Sequence, residues 1–519
     1  MQKNRILPMI LVILDGWGVA KPNRGNAITL AETPTMNGIN HKYVNTLLFA
    51  HGKYVGLPRN QDGNSEAGHM NMGAGRVVEQ DAVIISRSIS DGTFFKNTSF
   101  LEAIRHIQKN KSRLHLMGMI SNGMSAHSEP EHLLSLLKLI REQSVKEVYL
   151  HLFTDGRDSP KYAALKLVEN LKKNFTNNEI IATIMGRFYA MDRKKKWERT
   201  EKAFNALVLG QGRKATNSLE AITEAYNRGE NDEFIEPYII YKKDKMTPRI
   251  NEGDSVIFFN LRSDRARQLA KVFVQKQFCQ LNQGCFIRKM FVKNLLFVAM
   301  TDFGPDLDNI LTAYPSIDVK QTLPMQLNNL KQLYIAETEK YAHVTYFFNG
   351  GYANPVAGEA RQVLPSPDVK SYDETPAMSS EKLTRVILAN LAKKKYDFTV
   401  LNFAAPDMIG HTGNLAAATI CCHQVDSFLG RIVKAYLQVN GTIAVTADHG
   451  NIEEMINLET GEIDTEHSTN QVPFIIVNNK LKNKIKLRNG GVLGDVAPTI
   501  LELLNCKKPK EMTGKSLII

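Results

Sequence analysis

Carboxylates and imidazoles recur in this chain just after apolar runs. Asp15 follows Met9–Leu14, Asp407 and His411 sit in Pro406-Asp407-Met408-Ile409-Gly410-His411, Asp448-His449 open Asp448-His449-Gly450-Asn451, and His467 lies beyond them. Oxygen and imidazole donors without thiolates suit Mn²⁺ or Zn²⁺, and suit Mg²⁺ less well. Asp407 and His411 have i, i+4 spacing, which puts both on one face of a helix; in a loop, Gly410 would still let them converge. Adjacent Asp448 and His449 can point from one turn toward two different ions. Ser65 stands in the polar, glycine-flanked stretch Gly63-Asn64-Ser65-Glu66-Ala67-Gly68-His69. A serine hydroxyl is a poor nucleophile at neutral pH, and coordination to a metal ion is one way to stabilise its alkoxide. The combination reads as a metal-activated serine that handles phosphate.

A second constellation is cationic. Arg157, Arg187, Arg193, Arg262 and Arg265 carry forked donors suited to carboxylate and phosphate oxygens. Asp158, beside Arg157, reads either as a general base or as an ion-pair partner. His127, in Ser125-Ala126-His127-Ser128, lies beyond another apolar run and could donate to an anion. Lys340, in Glu337-Thr338-Glu339-Lys340-Tyr341, would by itself be read as a surface lysine.

The elements that must position these groups alternate along the chain. Met9–Leu14, Leu114–Ile120, Val148–Phe153, Ile181–Met185, Val256–Asn260, Leu295–Met300, Val344–Phe348, Phe398–Phe403, Ile443–Thr446 and Pro473–Val477 read as strands. Glu131–Gln143, Tyr162–Lys173, Ser380–Lys393 and Ala416–Val439 carry helical spacing of apolar residues. Such alternation implies an α/β architecture with mainly parallel sheets, and ligands in such folds bind outside the carboxyl ends of strands. The metal-ligand types fall before about residue 80 or after about 400, and the arginine motifs between about 150 and 270. An inserted domain fits this segregation. Residues 1–79 plus 317–519 are expected to form a discontinuous metal domain, and 80–316 an inserted substrate-binding domain, with crossovers near Val78–Asp81 and Tyr314–Val319.

Composition sets the outer bounds. With 519 residues, 43 % hydrophobic and 23 % charged, the chain falls among soluble globular proteins of two domains. The net charge of +12 suits an anionic ligand. The lysine clusters lack aromatic interleaving or a nucleic-acid motif, so they read as solvated surface and no nucleic-acid partner is expected. No apolar stretch is long enough to span a membrane. Lys3 and Arg5 before Ile6–Leu14 imitate a signal peptide, but Pro8 interrupts the run and Asp15-Gly16-Trp17-Gly18 replaces a cleavage site. Five cysteines, an odd count without Cys-x-x-Cys, point to a reduced, cytoplasmic compartment and against a thiolate zinc site.

Taken together, the motifs resemble those of the cofactor-independent phosphoglycerate mutases, within the alkaline phosphatase superfamily. The resemblance runs through Leu14–Gly18, Gly63–His69, Thr154–Asp158, Gly186–Arg193, Asp264–Gln268, Glu337–Thr345, Pro406–Gly413 and Ala447–Asn451. It implies an alkaline-phosphatase-like metal domain with an inserted second α/β domain. It implies two Mn²⁺ ions, one held by Asp15, Ser65, Asp448 and His449, the other by Asp407, His411 and His467. Ser65 matches the phosphorylated nucleophile. His127, Arg157, Asp158, Arg187 and Arg193 match the glycerate-binding and acid/base set, with Asp158 the proton carrier; Arg262, Arg265 and Lys340 match the phosphate-binding set. The implied reaction interconverts 3-phosphoglycerate and 2-phosphoglycerate through a phosphoserine, without 2,3-bisphosphoglycerate, in a monomer. A phosphatase or another phosphomutase on the same metal domain is the nearest rival. The segment Gln275–Phe291, with two of the cysteines, departs from the family pattern, as do Leu261, Lys194-Lys195 and Glu466.

Overall fold

Runs of six or seven mostly apolar residues, buried at every position, form the centres of two sheets. Met9–Leu14, Phe398–Phe403, Leu114–Met119 and Val148–Thr154 are buried on both faces along their whole length. Each large aliphatic or phenyl side chain among them that leaves water contributes about 1.5–3 kcal/mol, and continuous rather than alternating burial marks a parallel sheet covered by helices on both sides. The structure, a computed structural model, describes residues 7–519 apart from positions 124, 177, 305, 308 and 317. Lys3, Arg5 and Ile6 of the N-terminal reading lie outside the described residues, as does position 317 at the second expected crossover.

The chain divides into two compact units, one of residues 1–80 and 317–519, the other of residues 81–316. The sheet of the first unit runs Ala360–Leu364, Gln332–Glu337, Phe398–Phe403, Met9–Leu14, Thr442–Thr446, Val472–Val477, Val44–Phe49 and Gly491–Val492. Its pairings are parallel except for Val472–Val477, which is antiparallel to both neighbours. Met9–Leu14 lies at its middle, in register with Phe398–Phe403 on one side and Thr442–Thr446 on the other. Asp15, Asp407 and Asp448 therefore leave the same sheet edge from adjacent strands.

The second unit orders its strands Ile310–Tyr314, Leu296–Thr301, Ser255–Phe258, Leu114–Met119, Val148–Thr154, Glu179–Gly186, Tyr238–Lys242 and Arg213–Ala215, with Lys245–Met246 pairing Tyr238–Lys242. Its inner pairings are parallel, and Tyr238–Lys242 runs antiparallel to Glu179–Gly186. Both units are thus α/β with mainly parallel sheets, as the alternating pattern predicts. Among the described residues no helix is long and apolar enough to cross a membrane.

Two expectations need correction. Val344–Phe348 is not a strand: His343–Phe347 forms one π-helical turn. Its β-branched and aromatic residues imitate a strand, but it follows the 3₁₀ turn Thr338–Lys340 directly and ends before Gly350 and Gly351, both at positive φ, leaving no extended length to pair. The cysteines are not all free thiols either. Cys279 and Cys285 come together as a disulfide with a Cα–Cα distance of 5.6 Å. Gly284, at φ +73°, turns the chain back at that point and brings the two Cα atoms within bridging range.

Candidate active site

Asn64 starts the helix Ser65–Ala74 by accepting the Ala67 N–H at 2.8 Å, which leaves Ser65 in the first turn. The helix N-terminus carries partial positive charge and favours an anion there. Gly68 permits the close approach: a Cβ at that position would lie 2.5 Å from the Asp448 carbonyl oxygen. Gly16, at φ +70°, does the same for the Asp15 turn, where a Cβ would meet Asp407 Cα at 2.8 Å. Glycines in both motifs therefore let three polar segments pack around one hydroxyl.

Ser65 Oγ lies 2.9 Å from His449 Nε2 and 3.3 Å from Asp15 Oδ1. Lys340 Nζ donates to Ser65 Oγ at 2.7 Å and pairs with Asp15 at 2.6 Å and Asp407 at 2.7 Å. Lys340 is buried, at 5 % exposure, so the surface reading of this lysine alone does not hold; the strand Gln332–Glu337 and the 3₁₀ turn Thr338–Lys340 carry it inward. Burial lowers its pKa, but Asp15, Asp407 and Asp448 outweigh burial and raise it, so the ammonium is permanently charged. Burial and the neighbouring Asp448 carboxylate push Asp15 up to about 7 despite Lys340. Burial works against Asp407 too, yet the Lys340 ammonium holds its carboxyl well below the ordinary range.

The histidines show what the cluster is arranged to hold. Nδ1 of His449 faces the Gly450 carbonyl at 3.2 Å, Nδ1 of His411 the Thr465 carbonyl at 2.7 Å, and Nδ1 of His467 the Gly63 carbonyl at 2.8 Å. Carbonyls only accept, so each Nδ1 carries the proton and each Nε2 presents a lone pair in the neutral ring. His411 Nε2 and His467 Nε2 face each other at 3.0 Å, and both lie 3.3 Å from Asp407 Oδ1. Lone pairs converging on carboxylate oxygens repel unless a cation lies among them. Two groups have ligand atoms mutually within 4.8 Å: Asp407, His411 and His467, and Asp15, Asp448 and His449. Their donors fit divalent ions of the imidazole-and-oxygen class.

Three residues that the sequence reading did not single out support this cluster. His69, one helical turn after Ser65, faces the Ser65 carbonyl at 2.9 Å and Asp448 Oδ2 at 3.2 Å through Nδ1. Asn402 donates to Asp15 at 2.6 Å and meets His69 Nε2 at 3.1 Å. Glu453, fully buried, accepts the N–H groups of Gly18 and Asn451, each at 2.9 Å, the Asn470 amide at 3.0 Å and the Ser468 hydroxyl. It ties together the segments that bear Asp15, Asp448-His449 and His467. The available signals were the i, i+4 spacing of Ser65 and His69, a lone Asn in an apolar strand, and Glu453 closing the Asp448 motif.

The second unit gathers the arginines. Arg187, at 2 % exposure, donates through Nη1 to Asp158 at 2.9 Å and to Asp155, while its Nε has no partner among the described residues. Ser125 Oγ donates to Asp158 at 2.7 Å. Burial raises the Asp158 pKa, but Arg187 and Ser125 bring it below the usual value, so Asp158 is an ionised acceptor. Arg193 pairs with Asp264 at 2.7 Å and Arg262 faces the same carboxylate at 3.4 Å. Burial and then Arg187, Arg193 and Arg157 push Arg265 down to about 10, which measures the surplus positive field. Burial, Arg187 and Arg262 push His127 down to about 3, leaving a neutral ring whose Nδ1 has no partner among the described residues. Arg157 is the most exposed of the set, 3.9 Å from Glu233.

Of the expected site residues, Asp15, Ser65, Lys340, Asp407, His411, Asp448, His449 and His467 therefore meet in the first unit. His127, Arg157, Asp158, Arg187, Arg193, Arg262 and Arg265 belong to the second.

Residues 85–305 match the family model described as the BPG-independent PGAM N-terminus. Over 518 residues the chain is 47 % identical to the 2,3-bisphosphoglycerate-independent phosphoglycerate mutase of Clostridium kluyveri, covering 98 % of this chain and 99 % of that one. The chain belongs to this mutase family. The corresponding mutase of Clostridioides difficile is 45 % identical over 515 residues, again 98 % of this chain and 99 % of the relative. A crystal structure of Leishmania mexicana phosphoglycerate mutase at low cobalt concentration superposes with a TM-score of 0.79 at 28 % identity, over 100 % of this chain and 99 % of that one. As a 2,3-bisphosphoglycerate-independent phosphoglycerate mutase, the chain is an isomerase that interconverts 3-phosphoglycerate and 2-phosphoglycerate.

Proposed function

We propose that the isomerisation runs through a phosphoserine on Ser65, with two Mn²⁺ ions in the first unit and glycerate held by the arginines of the second. The observation that carries this reading is the set of three histidines around Asp407 and Ser65, each with Nδ1 tied to a carbonyl and Nε2 left as a lone pair. Asp15, Asp448, His449 and Ser65 would hold one ion, and Asp407, His411 and His467 the other. When bound, the ions supply Lewis-acid charge beside Ser65 and the phosphoryl oxygens.

The side chains account for the remaining steps. Ser65 Oγ gives up its proton and attacks phosphorus. The Oγ–P bond forms and the ester O–P bond to glycerate breaks, with the leaving oxygen taking a proton. Lys340 neutralises the serine oxygen and the transferring group. Arg262 and Arg265 bind phosphate oxygens. Arg157, Arg187, Arg193 and His127 retain the freed glycerate, and Asp158 carries protons to and from its hydroxyls. The other hydroxyl then takes the phosphoryl group back. Retention and exclusion of water are what separate a mutase from a phosphatase on the same nucleophile. We read the protein as a cytoplasmic monomer acting on a small-molecule substrate, with no nucleic-acid or membrane partner.

A coupled assay on 3-phosphoglycerate without 2,3-bisphosphoglycerate, with Mn²⁺ or a chelator, tests this. The expected result is metal-dependent formation of 2-phosphoglycerate that Ser65→Ala abolishes. Free phosphate without isomerisation would replace the reading with a phosphatase, and undiminished turnover by Ser65→Ala would remove the phosphoserine.

A further inference from the structure

In the second unit, a cavity of about 640 Å³ opens beyond the carboxyl end of strand Leu114–Met119. The helices Pro130–Glu142 and Ala164–Lys172 form its sides. Ile120, Leu133, Leu134, Leu167 and Leu171 give it an apolar interior, and Tyr162, 61 % exposed, flanks it. None of the arginines described above lines it, and neither do His127 or Asp158. Its volume falls in the range of small-ligand sites, and an apolar lining with a few polar groups is the usual composition of such sites.

One charged side chain reaches this lining. Lys166 is exposed, and among the described residues it makes no ion pair or hydrogen bond. The amide side chains of Asn170 and Asn174, both exposed, are the neighbouring polar groups. An unpaired ammonium beside an apolar hollow complements a ligand with a hydrocarbon body and an anionic end. We propose that this cavity binds a medium-chain carboxylate, its chain among the leucines and its carboxylate on Lys166. The highly polar phosphoglycerates do not match this lining, so the occupant is of another chemical class.

The position gives such a ligand a route to the substrate groups. Ser121 and Ser128 line the cavity, and Ser121 Oγ donates to the Ser128 carbonyl at 2.7 Å. The same loop carries Ser125, which donates to Asp158, and His127, whose N–H reaches Ser125 Oγ at 3.2 Å. An occupant pressing on Ser121 and Ser128 therefore bears on the backbone that holds these groups.

Calorimetric titration of the full chain with hexanoate, octanoate and octanol tests the proposal. Octanoate should bind one to one and about fourfold more tightly for each methylene added from hexanoate. Lys166→Ala should weaken octanoate about tenfold and leave octanol unchanged, while Leu134→Trp, which fills the cavity, should abolish both. Methyl-labelled leucine NMR on the wild-type chain locates the ligand without any variant, through shifts at Leu133, Leu134, Leu167 and Leu171. Absence of saturable binding, shifts confined to other leucines, or equal affinity for octanol and octanoate would each overturn the proposal.

Discussion

Asp15, Asp407 and Asp448 lie buried in the first unit around one ammonium, Lys340, whereas Asp155, Asp158 and Asp264 of the second unit each already face a guanidinium. The imidazoles differ in the same way. His411, His449 and His467 aim lone pairs inward at carboxylates. In the second unit, His115 Nδ1 meets His151 Nε2 at 2.9 Å, His115 Nε2 meets Asp254 at 3.1 Å, and His151 Nδ1 meets Thr183 Oγ1 at 2.8 Å. That chain of donors and acceptors satisfies itself. The first unit thus concentrates negative charge and lone pairs that call for added cations. The second pairs Asp155, Asp158 and Asp264 with its own guanidinium groups and keeps spare positive field for an anion.

Ser65→Ala should break the first centre most sharply, lowering mutase turnover by about 10⁴-fold or more, since removing a nucleophile disables the whole constellation. Steady-state rates with saturating Mn²⁺ check this, and unfolding of the second unit should not change. Next in size is Arg187→Ala, which strands Asp155 and Asp158 without their guanidinium. It should destabilise the second unit by about 3–5 kcal/mol and raise the ratio of phosphate release to isomerisation, measured by denaturant unfolding and product analysis. An unchanged ratio would remove Arg187 from glycerate retention.

Glu453→Gln sharpens the comparison. It keeps the shape of the tie between three ligand-bearing segments and removes its charge, so Mn²⁺ affinity by calorimetry should fall about 10–100-fold. The matching change in the second unit, Asp254→Asn, should leave Mn²⁺ affinity unaltered. The smallest effect concerns acid. Burial holds His115 below its ordinary pKa, and His151 well below. Unfolding lets both take up protons at their ordinary value near 6.5, so the unfolded state binds more protons and stability falls as pH drops below that value. The loss should be up to about 1.4 kcal/mol per histidine per pH unit, read from urea midpoints of a His115→Gln, His151→Gln variant beside the parent. Equal slopes for both proteins would count against the pair.

Central strands were legible because a chain buried on both faces is mostly apolar, as in Met9–Leu14 and, apart from Thr399 and Asn402, in Phe398–Phe403. Gln332–Glu337 escaped because its first and last residues are polar, although Gln332 and Glu337 are buried and hydrogen-bonded. Val344–Phe348 misled because β-branched and aromatic residues also suit a packed helical turn. The ligand types at strand ends were readable from position and chemistry. Which nitrogen of each histidine faces inward was not, since Gly63, Gly450 and Thr465 set it through backbone carbonyls. Nor could sequence pair His115 with Asp254, 139 residues apart.

The middle position of Met9–Leu14 in its sheet bears on how the protein is made. Its two neighbours begin at Phe398 and Thr442, so an early segment waits for late ones. At about 5–20 residues per second, a ribosome needs roughly 20–80 s to supply the first partner. The chain of the second unit is complete long before then. A nascent chain stalled near residue 380 should carry a protease-resistant 81–316 fragment and a digestible N-terminal segment, and resistance of both together would refute that order. The apolar strand destined for the middle of the sheet thus stays without its sheet partners while the rest is still being translated.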